Sequence, residues 1–392
     1  MAARPMMVCV FLRGAADGLS LVVPHADPRY YALRPTLAIP RPDDGRAASK
    51  ARALDLDGQF GFHPSLSGLL PLYRAGELAI VHAVGSDDQT RSHFEAQDRM
   101  EHANPRGSDV GGGWLARHLA TRPGGRPSSL AAVAIGSTVP ESLRGAAVSV
   151  LESANDYRLG EDTHAFAMAL HALYSAPESA ARPYDGALLA SGREALDTLD
   201  RLRAIPSDAS GARYPEGQLG RALKEIARLA RADLGVEVAC CDYDGWDTHF
   251  VADQLIPGLA SHLGDSLRAF REDLGDAMDR VLVVVMTEFG RRAYENTSLG
   301  TDHGRASVMF LMGAGVRGGR VVTDWPGLDD GRLEEPGDLA VTIDYRAVLA
   351  EIVRHRLENP RAAEVFPGLD AVERLRLPEQ TLPLFHASAP SP

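Results

Sequence analysis

Acidic and imidazole side chains lie beside apolar runs at three places in the second half of the sequence. Asp247 and His249 come after one run, Glu288 follows a second, and Asp302 and His303 precede a third. A buried strand that ends in such a residue presents the side chain at the carboxyl edge of a sheet, where open α/β folds bind ligands. Carboxylate and imidazole ligands together favour Zn or Mn, with Mg or Ca as alternatives. The pattern predicts a site for one or two divalent ions.

The position of Asp17 adds it to these candidate metal ligands. Asp17 lies just past the apolar run Met6–Leu12, in a glycine-bearing turn. A turn aspartate can instead bond its own backbone, and the sequence leaves that alternative open. Asp247 and His249 are two residues apart, so they share a face if the backbone there is extended. Alternatively, Asp247 could cap a helix and leave His249 at the surface.

The segment Thr90–His93 contains the candidate nucleophiles. It begins a predicted helix, whose free N–H groups and positive potential suit an anion. Thr90 and Ser92 are the predicted nucleophiles. His93 is a candidate metal ligand or general base, and Arg91 is a candidate for holding anionic oxygens. Ser92 and Glu95 also have the spacing of a capping box, so Ser92 could serve only as a helix cap.

Glu288 comes at the end of the strongly apolar run Val281–Met286. A carboxylate in that position is costly to bury unless it is paired or bound to a metal. Arg291, three residues later, or a cation could compensate its charge. The planar fork of Arg291 could also bind the oxygens of an anionic substrate, which makes it a second candidate beside Arg91.

The composition restricts the possible partners. The chain has 392 residues, and its 41 basic and 53 acidic side chains give a net charge of −12. This charge argues against a nucleic-acid partner, because phosphate backbones require a basic surface; a small anionic ester is the predicted substrate. No apolar run approaches the ~20 residues that span a bilayer, and the N-terminal run is short for a signal peptide. As written, the sequence is expected to be soluble and cytoplasmic.

Apolar runs of strand length alternate with helical periodicity along most of the chain. This alternation predicts an α/β sandwich. One domain is expected over residues 1–385, with residues 151–232 as a mainly helical peripheral layer or lid and residues 386–392 as a disordered tail. The runs Val308–Met312 and Arg320–Thr323 are expected to be edge strands. All three cysteines lie in apolar runs and are predicted to be buried and unpaired.

Several motifs together resemble a known family. They are, in order, FLRGAADG, TRSHFEAQDRME, GWDTH, TEFGR, GTDHG and GAGVRGG, and they extend over nearly the whole chain. On these motifs the sequence is identified as a member of the bacterial domain-of-unknown-function family fifteen-oh-one. That family is similar to the alkaline phosphatase superfamily, which includes sulfatases and cofactor-independent phosphoglycerate mutases. The resemblance implies a three-layer sandwich with a mainly parallel central sheet, a two-metal site and a Ser, Thr or Cys nucleophile at a helix start.

The resemblance also assigns roles to individual residues. Asp17 matches the acid after the first strand. Thr90 or Ser92 matches the nucleophile region. Asp247 and His249 resemble the acid–histidine arm of one metal, although their spacing is shorter than in the better-known enzymes.

The late strand departs from the superfamily pattern. Glu288-Phe289 stands where an Asp-His pair is usual, whereas His303 matches the final histidine. One metal is therefore expected to have fewer ligands or to be absent.

Two functions of different classes fit these observations. The first is metal-dependent hydrolysis of phosphate or sulfate esters, in which bound cations polarise the ester oxygen and activate a hydroxyl group or water. The second is a catalytically degenerate relative that binds a ligand or a partner protein. The Glu288-Phe289 departure and the unresolved choice of nucleophile are the reasons for keeping the second function.

Overall fold

A mixed, mainly parallel β-sheet forms the centre of the structure. The structure is a computed structural model that describes residues 4–104, 111–124, 130–153, 168, 172–174, 185–203, 211–369, 377–379 and 382–386. The strands within these residues are, in chain order, β1 (Met6–Leu12), β2 (Val22–Val23), β3 (Leu54–Asp55), β4 (Gly61–Phe62), β5 (Leu78–Gly85), β6 (Ala132–Ile135), β7 (Ser149–Leu151), β8 (Val238–Tyr243), β9 (Val281–Thr287), β10 (Ser307–Gly313), β11 (Arg320–Val322) and β12 (Ile343–Asp344).

The order of the central strands differs in one respect from the expectation. In the described residues the sheet runs β11-β5-β10-β9-β1-β8-β6-β7, with β12 paired to β5. Strand β10 was expected at an edge, but it lies antiparallel between β5 and β9. The other pairings are parallel, so the prediction of a mainly parallel sheet is confirmed. Strands β2, β4 and β3 form a separate small antiparallel sheet.

Helices cover both faces of the central sheet. Those in the described residues are α1 (Gly18–Leu21), α2 (Pro28–Leu33), α3 (Leu70–Arg74), α4 (His93–Glu101), α5 (Trp114–Thr121), α6 (Asp185–Arg203), α7 (Gln218–Arg231), α8 (Ala252–Leu274), α9 (Tyr345–His355) and α10 (Ala362–Val365). In β1, Val8 and Val10 join one core with α7 and α8, whereas Met7 and Cys9 join another with α5 and α9. Burial on both faces requires the unbroken apolar run, and the three-layer sandwich is confirmed.

The register of the central strands aligns their carboxyl ends. Leu12 at the end of β1 pairs with Tyr243 of β8 on one side and with Thr287 of β9 on the other. Strand β5 runs in the same direction as β9, because β10 is antiparallel to both. The segments that follow β1, β5, β8 and β9 therefore meet at one edge of the sheet, together with the loop that leads into β10.

The cysteines, the membrane prediction and the predicted helical layer can also be compared with the structure. Cys9, Cys240 and Cys241 are buried and free, as predicted. No helix among the described residues is long and apolar enough to cross a membrane. Helices α6 and α7 fall in the region predicted to be mainly helical, although much of residues 154–184 and the tail residues 387–392 lie outside the described residues.

Candidate metal centre

Three histidines and one aspartate come together at the carboxyl edge. The Oδ1 atom of Asp247 lies 3.2 Å from Nε2 of His249 and 3.4 Å from Nε2 of both His93 and His303. The Nε2 atoms of His249 and His303 are 2.8 Å apart. In a tetrahedral zinc site with bonds of about 2.0–2.1 Å, the ligand atoms lie roughly 3.4 Å from one another. The ligand atoms of His93, Asp247 and His303 all lie within 4.8 Å of one another, a spacing that can hold a metal ion, and His249 contacts Asp247 and His303 beside them.

Each of the three imidazoles meets a hydrogen-bond acceptor through its other ring nitrogen. The acceptors of the Nδ1 atoms are Glu288 Oε1 for His93 at 2.8 Å, Asp302 Oδ1 for His249 at 3.2 Å, and the Arg91 carbonyl oxygen for His303 at 2.7 Å. A neutral imidazole that donates through Nδ1 has its lone pair on Nε2, which is how outer carboxylates and carbonyls orient ligating histidines.

The Nε2 atoms are left in positions that suit a cation. Two lone pairs 2.8 Å apart, as on His249 and His303, repel each other unless a proton or a cation lies near both. The Nε2 atom of His93 is buried and has no hydrogen-bond partner. A buried polar atom without a partner is costly, and coordination to a metal would satisfy it.

Helix α4 places His93 at this edge. Its N-cap is Ser92, whose hydroxyl oxygen accepts from the Glu95 N–H at 3.5 Å. Ser92 therefore has the capping role that the sequence left open. His93 and Gln97 lie four residues apart, on the same face of the helix, and both hydrogen-bond Glu288 Oε1, at 2.8 and 2.9 Å.

The carboxylate of Glu288 is fully buried and surrounded by donors. Its Oε1 also accepts from the Gly14 N–H at 2.8 Å, and its Oε2 accepts from the Thr287 hydroxyl at 2.9 Å. Burial acts to raise the pKa of Glu288, but the hydrogen bonds from His93, Gln97 and Gly14 outweigh it, so the pKa lies below its ordinary value. Glu288 is thus held as a carboxylate directly behind one of the clustered histidines.

The turn after β1 requires a glycine at position 14. Gly14 has a φ of +113°, which favours glycine, and a Cβ there would lie 2.5 Å from the backbone nitrogen of Asp247. This close approach lets the Gly14 N–H reach Glu288 while its carbonyl oxygen accepts from Arg291 at 2.6 Å.

Arg291 connects the loops around the cluster. Its buried guanidinium donates to the carbonyl oxygens of Gly14, Ala15, Trp246 and Thr301 and, at 2.6 Å, to Asp247 Oδ1. Burial acts to raise the pKa of Asp247, but the hydrogen bond and charge of Arg291 prevail and lower it to about 2. The predicted anion-binding arginine is therefore directed toward the protein's own loops, where it keeps Asp247 ionised.

The structure places Asp17 in a different environment. Its carboxylate is buried and receives the Arg34 guanidinium at 2.6 Å and the Ser20 hydroxyl at 2.7 Å. It also accepts from the Leu19 N–H at 3.2 Å as the N-cap of α1. Asp17 therefore matches the turn role that the sequence left open, and it is not brought into the histidine cluster.

Thr90 and the Arg91 side chain also have partners outside the cluster. The Thr90 hydroxyl donates to Glu95 Oε2 at 3.1 Å. The Arg91 guanidinium donates to Asp338, a fully buried carboxylate, and to the carbonyl oxygen of Glu335. Only the backbone oxygen of Arg91 reaches the cluster, where it holds His303.

Three residues that support the cluster were not identified from the sequence. Gln97 hydrogen-bonds Glu288, Asn296 donates to Asp302 Oδ1 at 3.2 Å, and Asp338 anchors the Arg91 side chain. The four-residue spacing of Gln97 from His93 on a predicted helix was an available signal. The other two act across loops, for which the sequence has no periodic pattern.

The chain belongs to the family described as "Protein of unknown function (DUF1501)", whose model matches residues 4–351. No curated protein matches the sequence. The family membership inferred from the motifs is thus confirmed.

Several solved structures are similar to this chain at low identity. The C-terminal periplasmic domain of EcEptC from Escherichia coli, in complex with Zn, has 9% identity and a TM-score of 0.34, covering 80% of this chain and 73% of that chain. PsFucS1 sulfatase from Pseudoalteromonas sp. has 11% identity and a TM-score of 0.37, covering 98% and 72%. Phosphonate monoester hydrolase of Agrobacterium radiobacter has 11% identity and a TM-score of 0.32, covering 82% and 70%. Likenesses of this size carry no argument about the site.

Proposed function

We propose that the chain is a metal-dependent hydrolase of phosphate or sulfate esters in which His93, Asp247 and His303 hold one divalent cation, with His249 beside them as a fourth candidate ligand. The observation that supports this most is the convergence of the three Nε2 atoms on Asp247 Oδ1, with an acceptor facing each Nδ1. Three imidazoles and one carboxylate are a ligand set that favours Zn, with Mn as the alternative.

The local charges also support a divalent cation. Asp247, Glu288 and Asp302 contribute three negative charges, while Arg291 pairs with Asp247 and the charge of Arg292 acts on Asp302. Negative charges therefore outnumber the guanidinium groups around the cluster. A divalent cation would offset this excess and reduce the repulsion between the carboxylates at short range.

We assign Glu288 and Asp302 to the outer layer of the centre instead of to the metal. Both oxygens of Glu288 already accept hydrogen bonds, and Asp302 Oδ1 orients His249. Asp17 is paired with Arg34. These assignments leave ligands for one ion, so we propose a mononuclear centre in place of the two-metal site that the family resemblance implied.

These contacts indicate what the cation and each residue would contribute to the reaction. A divalent cation at the cluster supplies Lewis-acid polarisation of the ester and lowers the pKa of a water molecule. Arg291 holds Asp247 as a carboxylate, and Glu288 and Asp302 keep the Nδ1 protons of His93 and His249 in place. The chain's own residues thus fix the orientation and protonation of the ligands before substrate arrives.

The attacking group is either the Thr90 hydroxyl or water. Thr90 already donates to the Glu95 carboxylate, which is the arrangement of a hydroxyl beside a base that can take its proton. A Thr90→Val variant separates the two: loss of turnover with metal retained assigns the attack to Thr90, and retained turnover assigns it to water. Ser92→Ala is the matched control, because it removes a neighbouring hydroxyl that caps α4.

Metal content is the first test of the centre. We expect one equivalent of Zn by mass spectrometry of metals in the untagged protein, and loss of that metal in His249→Ala. His355→Ala is the control, because His355 lies on the exposed surface of α9, with 56% of its side chain accessible. Two bound equivalents would refute the mononuclear centre, and no binding after reconstitution with Zn and Mn would refute the metal site itself.

Turnover is the second test. The metal-loaded protein is expected to hydrolyse 4-nitrophenyl phosphate or 4-nitrophenyl sulfate, and His249→Ala is expected to lose this activity while His355→Ala keeps it. Protein that binds metal stoichiometrically but turns over neither ester would contradict the hydrolase proposal.

A second function, binding without catalysis, has one specific observation in its favour. Ser92, one of the two predicted nucleophiles, has its hydroxyl engaged as the cap of α4, where it accepts from the Glu95 N–H. Metal binding without turnover on a wide panel of phosphate and sulfate esters would support this alternative.

A further inference from the structure

A cavity of about 380 Å³ lies at the carboxyl ends of β6, β7 and β8. Its polar wall includes Ser137 and Thr138 after β6, Glu152 after β7, and Asp244 after β8. The first turn of α7 completes the wall with Arg221. Ligands of α/β proteins bind at this edge of the sheet, and the volume lies within the ~300–1,000 Å³ range of small-molecule sites.

The cavity and the metal centre are built from neighbouring segments of the same sheet edge. Asp242, which lines it, pairs with Arg13 at 2.9 Å, and Arg13 also pairs with Glu101 on α4 at 2.5 Å. Arg13 directly precedes Gly14, whose N–H holds Glu288. Strand β8 neighbours β1, and strands in a sheet are ~4.8 Å apart. Asp244 in the cavity wall is only three residues from Asp247 of the cluster, which is about 10 Å at most along the chain, so one substrate is long enough to have its ester group at the metal centre and its organic part in the cavity.

The charges of the wall indicate which part of a substrate fits there. Among the residues that the structure describes, three carboxylates line the cavity, on Glu152, Asp242 and Asp244, against the single guanidinium of Arg221. Arg13 neutralises only Asp242. The remaining negative charge disfavours a phosphate or sulfate group in the cavity, because like charges repel. The anionic group of the substrate is thereby directed to the metal centre.

The hydrogen-bonding groups of the wall indicate the chemistry of the occupant. Gln218 and Asp244 are held together by bonds of 2.8 and 3.3 Å, so an amide and a carboxylate face the cavity as a preformed pair. Arg221 adds donors, Glu152 adds acceptors, and the hydroxyl of Ser137 can do both. A hydroxyl group donates and accepts at once, whereas an ammonium group can use only the acceptors.

We propose that this cavity binds the alcohol part of the substrate and that this part is an uncharged polyhydroxylated group, such as a sugar ring. The proposal rests on the proposed function, since it makes the cavity the leaving-group subsite of the same hydrolase. The described part of the wall has no aromatic side chain, so recognition there comes from hydrogen bonds to hydroxyl groups. The substrates are accordingly phosphate or sulfate esters of polyols.

Binding of the free polyol tests the proposal without requiring catalysis or metal. Saturation-transfer NMR with methyl glucoside and methyl galactoside is expected to detect binding to the full chain, with or without Zn. Arg221→Ala and Gln218→Ala are each expected to lower the affinity for the sugar at least tenfold. Arg74→Ala is the matched control, because Arg74 is an exposed arginine at the end of α3, just before β5 enters the sheet at the opposite edge.

The outcomes separate this proposal from the proposed hydrolase. The protein could bind sugar, lose that binding in Arg221→Ala and Gln218→Ala, and yet hydrolyse no ester. That result would support the cavity as a sugar site and refute the proposed hydrolase. Turnover of 4-nitrophenyl esters without sugar binding would sustain the hydrolase and overturn the cavity proposal. Preferential binding of ethanolamine over the two glycosides would also overturn it, because it would show a cation subsite. In an active enzyme, we expect Arg221→Ala to raise KM at least tenfold for glucose 6-phosphate or glucose 6-sulfate, whereas Arg74→Ala leaves it unchanged.

Discussion

Glu288→Gln isolates the contribution of a buried charge behind the metal centre. In the wild-type protein, Oε1 accepts from Gly14, His93 and Gln97, and Oε2 accepts from the Thr287 hydroxyl. A glutamine has the same shape, so its carbonyl oxygen can replace Oε1 and keep three of these bonds. Its NH₂ group then faces the Thr287 hydroxyl.

The Thr287 hydroxyl can adapt to that change. In the wild-type protein it lies 2.8 Å from the Leu12 carbonyl oxygen and accepts from the Ala16 N–H at 3.0 Å. It can therefore donate to Leu12 and accept from the new amide, so that no buried group loses its partner. Since unsatisfied buried groups account for most of the cost of such changes, about 1–3 kcal/mol, we expect the free energy of unfolding of the metal-free protein to change by less than ~1 kcal/mol.

The metal affinity is expected to fall although the fold is retained. A hydrogen bond to an ionised acceptor is roughly twice as strong as a neutral one, and loss of outer residues of metal sites costs about 10–100-fold in affinity. For Glu288→Gln we expect a loss of about tenfold, which corresponds to ~1.4 kcal/mol. Competition with a chromophoric zinc chelator measures the affinity, and urea unfolding of the metal-free protein measures stability. An affinity within twofold of wild type would refute the outer-layer role, and a large loss of stability would refute the hydrogen-bond argument.

Three further predictions concern the surroundings of the centre. Asp338→Asn is expected to weaken zinc binding about 2–10-fold in the same competition assay, because Asp338 anchors Arg91, whose carbonyl oxygen orients His303; unchanged affinity would contradict this. Asp17→Asn is expected to lower the free energy of unfolding by ~3–5 kcal/mol, because it leaves a buried arginine unpaired, while metal stoichiometry stays at the wild-type value; a lost equivalent would show that Asp17 is a ligand. Burial lowers the pKa of His82 to about 4, so between about pH 6.5 and 4 the unfolded chain binds a proton that the native chain does not. The free energy of unfolding should therefore fall by up to ~3 kcal/mol as the pH falls over that interval. His82→Gln should make the free energy of unfolding, measured by urea titrations at several pH values, depend less steeply on pH.

The sequence predicts the central strands because burial on both faces leaves an unmistakable pattern. Met6–Leu12 and Val281–Met286 are unbroken apolar runs, and both lie in fully buried strands. Short strands such as Ser149–Leu151 and Ile343–Asp344 contain too few residues for any periodicity. The position of β10 could not be predicted either, since strand order depends on pairings between distant segments that leave no local pattern.

The residues of the candidate site could be predicted from the sequence, but their hydrogen-bond and ion-pair partners could not. Asp247, His249 and His303 were proposed from their position beside apolar runs and His93 from its position at a helix start, and the structure brings them together. Asp17 has the same local pattern and lies elsewhere.

What distinguishes the two aspartates is the partner that each receives. Arg34, in the loop region after β2, encloses both oxygens of Asp17 in a fully buried pair. Arg291 contacts Asp247 with one nitrogen and uses its other donors on backbone carbonyls.

That difference determines which of the two carboxylates can coordinate a cation. The Asp247 side chain remains half exposed, at 51% of its accessible surface, although its pKa lies near 2. Asp17 has the same charge but no accessible surface and no free oxygen. A metal ligand needs an ionised oxygen that a cation can still reach, so ionisation alone does not identify one. The arginine next to each acid therefore determines its role: full enclosure gives a structural ion pair, and contact at one side gives an accessible carboxylate held ready for metal.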